Sequence, residues 1–132
     1  MRAYLIDPAA KTVTPIDHSG EPADFKVTIG CDWLDVVFTD GIDLWIDGEG
    51  LFAKGEKPNG DPDLTDVPLF GVGAYLWPLA GKAVVMGTDQ DGECVGCPIS
   101  LEELRALVRF GLTEADHIAA RPDGKLFQVH GC

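Results

Sequence analysis

The stretch Trp33-Leu34-Asp35-Val36-Val37-Phe38-Thr39-Asp40-Gly41-Ile42-Asp43-Leu44-Trp45-Ile46-Asp47 decides the fold class. Two β-prone runs flank Asp40-Gly41, a dipeptide that accepts the positive φ of a tight hairpin turn. Two registers are open. A two-residue loop pairs Phe38 with Asp43 and mixes apolar and charged residues on each face. A three-residue loop, Asp40-Gly41-Ile42, pairs Phe38 with Leu44 and Val36 with Ile46, and gathers Leu34, Val36, Phe38, Leu44 and Ile46 on one apolar face. Register follows the apolar pattern wherever one face is buried, so the sequence favours the second. The opposite face then carries Trp33, Asp35, Val37, Asp43, Trp45 and Asp47. Asp35 stands directly across from Asp47, a like-charge pairing that ordinarily destabilises a sheet.

Outward from this hairpin the chain alternates short apolar runs with turn chemistry. Tyr4-Leu5-Ile6 and Thr12 to Ile16 read as an opening strand or loose hairpin around Asp7-Pro8. Ser19-Gly20-Glu21-Pro22 leads into a short helix or irregular segment over residues 23–29, where β-branched Val27, Thr28 and Ile29 weaken the helix. Gly48 to Pro68 is rich in Gly, Pro, Asn, Asp and Lys and reads as a long exposed loop. Leu69 to Leu79 resumes apolar character, and Ala83-Val84-Val85-Met86-Gly87 reads as a buried strand. Ser100-Leu101-Glu102-Glu103 is a capping box that opens a helix over residues 100–110, with Gly111 as its stop. A second short helix begins near Thr113, and Leu126-Phe127-Gln128-Val129 reads as a final strand. The expected fold is α+β: one domain over residues 1–132, with an antiparallel sheet of four to six strands and one main C-terminal helix packed on it.

Hydrophobic residues make up 45% of the 132 and charged residues 24%, ordinary globular usage that argues against disorder. The charge balance is unusual: 22 Asp and Glu against 10 Lys and Arg give a formal net charge of -12. Such a field repels phosphate backbones and anionic lipid and attracts basic protein surfaces, so direct nucleic-acid binding and membrane association are disfavoured. The opening residues lack the apolar run of a secretory signal, and the cytoplasm is the expected compartment.

Three constellations can carry chemistry. Cys94-Val95-Gly96-Cys97 has the spacing of a zinc knuckle, for which His130 and Cys132 would complete four ligands, with Cys31 a further candidate; the plainer reading is a pair of thiols at a turn. Asp35 and Asp47, flanked by Trp33 and Trp45, form a candidate acid/base or divalent-cation pair, against which stands simple solvent exposure. With Asp43 these residues also make a candidate binding surface. Asp89-Gln90-Asp91-Gly92-Glu93 lacks the distant bidentate Glu of a calcium loop. His18, His117 and His130 sit near no nucleophile motif, and no catalytic residue is assigned.

Leu44-Trp45-Ile46-Asp47-Gly48-Glu49-Gly50, then Asn59, then Gly81-Lys82-Ala83-Val84-Val85-Met86-Gly87, resembles an uncharacterised domain-of-unknown-function family of phage and plasmid accessory proteins over about residues 31–95. The resemblance implies an accessory gene on a mobile element and no activity. Together these readings lead to a non-enzymatic accessory protein without a cofactor, acting by binding a basic protein as an acidic inhibitor or DNA mimic. The alternative is a small zinc-binding or metal-dependent domain using Cys94/Cys97 or Asp35/Asp47.

Overall fold

A computed structural model describes residues 1–120. The elements run β1 (Arg2–Asp7), β2 (Thr12–Asp17), α1 (Pro22–Ile29), β3 (Leu34–Thr39), β4 (Ile42–Asp47), a single 3-10 turn (Gly50–Phe52), β5 (Leu69–Val72), β6 (Tyr75–Ala80), β7 (Ala83–Thr88), β8 (Cys94–Val95), α2 (Leu101–Leu107), β9 (Val108–Leu112) and α3 (Glu114–Ala119). Every strand pair is antiparallel. The larger sheet has the order β2-β1-β7-β4-β3, with β8 paired to the far end of β7, and the smaller has the order β6-β5-β9. The chain is a mixed α+β fold with more strand than expected.

The β3–β4 register is the two-residue one. Thr39 pairs with Ile42, Phe38 with Asp43, Val37 with Leu44, Val36 with Trp45, Asp35 with Ile46 and Leu34 with Asp47. Asp40 and Gly41 both take positive φ, 51° and 76°, as the mirror-image turn of a two-residue hairpin requires. This overturns the expected three-residue loop, and the physical reason lies in β4. An apolar-in, polar-out alternation holds only for a sheet with one wet face, whereas β4 is covered on both. On one side Ile42, Leu44 and Ile46 pack with Phe70, Val72 and Leu79 of the smaller sheet and Leu104 of α2. On the other, Trp45 packs with Val84 and Met86 beneath Phe25 and Ile29 of α1.

The helix α1 forms despite its β-branched residues because Phe25 and Ile29, one turn apart, bury one stripe while Val27 faces solvent. Gly30, in the left-handed region at φ 82°, ends it and donates to the Lys26 carbonyl at 2.8 Å. The capping box of α2 is present: the Glu103 amide donates to Ser100 Oγ at 3.1 Å and the Ser100 amide to Glu103 Oε1 at 2.9 Å. The helix then stops at Leu107, short of Phe110, and Val108 to Leu112 becomes a strand against β5. Gly111, at φ 76°, sits where the β5–β9 register slips between Phe110 and Leu112; it is a bulge residue rather than a helix stop. In place of one main C-terminal helix the described residues form three short ones, of which α1 is the longest.

The Gly48 to Pro68 segment is more anchored than its composition suggests. Leu64 is buried at 2% exposure against Leu69 and Ala80. Its amide donates to Glu114 Oε2 at 3.1 Å, the same oxygen that meets Lys57 Nζ at 2.7 Å. The expected strand over Leu126 to Val129 lies outside the described residues.

Candidate functional site

The two sheets face each other across the main core, and among the described residues β3 and β6 end their sheets and line one cleft together. The turn after β4 closes one end of it. Asp47 Oδ1 accepts from the Glu49 amide at 2.8 Å, and the Gly48 amide donates to the Trp33 carbonyl at 2.7 Å. A Cβ on Gly48 would stand 2.3 Å from Trp33 Cδ1, and one on Gly50 would stand 2.8 Å from the Ala80 carbonyl oxygen. A side chain is therefore excluded at Gly50 by close backbone approach, and at Gly48 it would have to displace the Trp33 ring.

A cleft lies on each side of this turn. The smaller, about 160 Å³, opens between the sheets. Asp35, Val37 and Ile46 line it from the larger sheet, Tyr75 and Leu79 from β6, and Leu51 and Phe52 from the 3-10 turn. Burial, and then the charge of Asp35, push the Tyr75 hydroxyl above its ordinary range. Among the described residues no Lys or Arg lines this cleft. The larger, about 350 Å³, lies on the α1 side; it is mostly apolar, with Pro8, Ile29, Val67 and Pro68 in its wall and Asp7, Asp47 and Lys82 as its charges. Asp47 and Ala80 line both.

The observed register separates the residues that the sequence places on one face. Directly paired residues share a face and neighbours along a strand alternate, so Asp43, Trp45 and Asp47 face α1 while Asp35 faces the smaller sheet. Asp35 and Asp47 are thus not a directly opposed pair, although both line the smaller cleft. Asp43 is buried and accepts a hydrogen bond from the Thr88 hydroxyl. Trp45 stacks on Phe25, ring centroids 4.4 Å apart and 17° from parallel, so its ring belongs to the core beneath α1. Trp33 is 67% exposed. Composition alone does not single out Tyr75, Phe52 or Leu79 as lining residues, because they come from a strand and a turn that only sheet stacking brings to Asp35. The nearest signal is the Asp-Gly-Glu-Gly turn itself.

The cysteines separate as well. Cys94 packs with the α1-side cluster, its Sγ 3.9 Å from Met86 Sδ, whereas Cys97 is buried in the cluster between the sheets. Burial raises both thiols above their ordinary range and is the largest cause in each. His130 and Cys132 lie outside the described residues. Among the described residues no three His, Cys, Asp or Glu side chains gather as metal ligands, and no helix is long and apolar enough to cross a membrane.

These features define a small acidic α+β domain with a paired-sheet core and a carboxylate-lined cleft at its open edge. The chain belongs to the family described as Domain of unknown function (DUF3846), whose profile matches residues 1–109, well beyond the 31–95 of the expected core. No curated protein matches it and no solved structure matches it.

Proposed function

We propose that the chain is a non-enzymatic accessory protein of a phage or plasmid that acts in the cytoplasm by binding a basic protein through the Asp35–Tyr75 cleft. One observation supports this above others: the cleft offers the carboxylates of Asp35 and Asp47, a phenol, the Phe52 ring and an apolar floor, with no cation among the described residues. Long cationic side chains bury their stems on apolar surface while the charged head keeps polar partners, and aromatic faces attract the head further. The cleft has the chemistry for one Arg or Lys side chain. The surroundings reinforce it. Between Lys26 and Lys54 the chain carries six carboxylates, Asp32, Asp35, Asp40, Asp43, Asp47 and Glu49, and no Lys or Arg, half of the net charge of -12. Such a field raises the encounter rate with basic partners. An inhibitor that occupies a basic groove otherwise used for phosphates is the form of binding this charge favours.

Titration of the full chain with N-acetyl-arginine amide, followed by amide NMR, tests the cleft. Shifts are expected at Asp35, Val37, Tyr75 and Leu79, weaker at physiological than at low salt. Asp35→Asn should lower the affinity about fivefold, the loss of roughly 1 kcal/mol for an exposed charge pair. Shifts spread evenly over the acidic surface, with Asp35→Asn without effect, would sink the reading.

A further inference from the structure

We propose that the edge of β3, unpaired among the described residues, is a strand-addition site for an extended, basic segment of the partner. The inference rests on the protein-binding reading above and adds the conformation of the bound segment and the backbone groups that hold it.

The direction of the β3 backbone groups follows from the turn. In a two-residue hairpin the closing pair, here Thr39 and Ile42, exchanges both hydrogen bonds, and bonded and non-bonded pairs then alternate along the ladder. Val37/Leu44 and Asp35/Ile46 are therefore bonded pairs, and the next bonded position is Trp33/Gly48. There the Gly48 amide does donate to the Trp33 carbonyl, at 2.7 Å. The N–H and C=O groups of Leu34, Val36 and Phe38 consequently point away from β4, toward the side where the sheet order ends. Val36 bears this out a second way: its amide donates to Asp35 Oδ1 at 2.8 Å instead of to a ladder carbonyl.

Natural sheets guard such edges with Lys, Pro, bulges or covering elements. Within β3 there is no Lys, no Pro and no register shift, and Phe38 on this strand is 68% exposed. The charge selects the occupant. A second copy of this chain would bring Asp32, Asp35 and Asp40 of each molecule toward the same carboxylates of the other, and like charges across a sheet destabilise it. A segment alternating cations with apolar residues is complementary instead. Its cations reach the Asp35 cleft between the sheets, and its apolar residues meet Phe38 on the α1 side. Docking exchanges the Asp35–Val36 contact for a partner cation on the carboxylate and a partner carbonyl on the Val36 amide. Main-chain bonds then supply affinity and alternate side chains supply selectivity.

The test uses the full chain and a synthetic peptide alternating Arg and Val, with an analogue N-methylated at alternate residues, which keeps the charge and loses the donors. The parent peptide should protect the Val36 and Phe38 amides from hydrogen exchange. The N-methylated analogue should bind at least about tenfold more weakly, since its methylated residues can no longer donate to the outward β3 carbonyls. Val36→Pro removes one outward N–H at an edge position that tolerates proline, and should weaken the parent peptide about fivefold by the same reasoning. The peptide comparison needs no variant, so it decides even where Val36→Pro fails to fold. Equal affinity of both peptides overturns strand addition, and if arginine amide still titrates the cleft, the protein-binding reading survives alone. Protection of β2 in place of β3, or residues 121–132 found against β3 in the free chain, also overturns it. A silent cleft in the arginine amide titration removes the protein-binding reading by itself.

Discussion

The larger sheet ends in two edge strands of equal length, β2 and β3, and they are finished differently. In β2, Pro15 has no amide to offer, Arg105 of α2 donates to the Val13 carbonyl at 2.9 Å, and the chain start is tied to the far end through Met1 and Asp17 at 2.8 Å. In β3 the interior amide of Val36 is held, among the described residues, by the side chain beside it, and the exposed surface is carboxylate and aromatic. Edge strands present unpaired donors and acceptors that natural sheets usually blunt. Among the described residues the β2 edge is guarded, and the β3 edge is the one proposed to take a partner segment. The difference teaches that acidity here has a location, and that the location coincides with backbone groups able to bond.

The largest expected effect comes from removing what supports the open edge. Phe25 is fully buried, stacked on Trp45 at a centroid distance of 4.4 Å and met at a tilt by His18 at 4.3 Å. Phe25→Ala should cost about 3–5 kcal/mol in denaturant unfolding through lost burial and the cavity left behind. A loss below about 1 kcal/mol would mean that α1 does not brace β4 and β3. A smaller effect should follow from stripping the guards of the other edge. Pro15→Val combined with Arg105→Ala is expected to cost about 1 kcal/mol through the lost Val13 contact, and to introduce concentration-dependent self-association visible by sedimentation. If the double variant stays as monodisperse as the parent, these guards are not what distinguishes the edges.

The smallest effect concerns the tip of β3. Asp40 Oδ2 accepts from the Ala74 amide at 2.9 Å and from the Thr39 hydroxyl at 2.7 Å, tying the β3–β4 turn to the β5–β6 turn. The Ala74 amide first, then the Thr39 hydroxyl and the charge of Arg109, hold this carboxyl below its ordinary range. A group whose folded pKa is lowered contributes stability that is complete above its unfolded pKa, about 4, and lost as pH falls through the folded value. Asp40→Asn should therefore lower stability on the neutral side, leave the acid end nearly unchanged, and so flatten the acid slope of the stability profile. Thermal unfolding from neutral pH into the acid range reads this directly, and an unchanged acid slope would show that the tie carries no charge-dependent stability.

Much of the local structure was legible in the residues. Asp40-Gly41 marks the hairpin turn, Ser100 with Glu103 marks the start of α2, and the apolar run Ala83 to Gly87 marks a strand buried on both sides, each from chemistry contained in a few neighbouring positions. The loop after β4 reads as exposed because Gly, Pro and Asn dominate it, and the one residue that anchors it, Leu64, gives no local sign of burial. Val108 and Phe110 have helical spacing from Leu104 and Leu107, and only pairing with β5 turns them into a strand. The smaller cleft was half legible: Asp35 and Asp47 stand out as carboxylates among aromatics, but Tyr75 and Phe52 reach them through the stacking of a second sheet.

By itself the sequence determined the existence of the hairpin, the capping of α2, the acidic charge and its concentration between Lys26 and Lys54, because these depend on residue identity and short-range spacing. Tertiary structure alone decided the register. With α1 on one face of β4 and the smaller sheet on the other, both sets of alternate residues are buried, and the apolar pattern no longer says which way the strand faces. The turn geometry then selects the pairing, and with it sends Asp35 to the cleft, Trp45 to the core and the Val36 amide to the open edge.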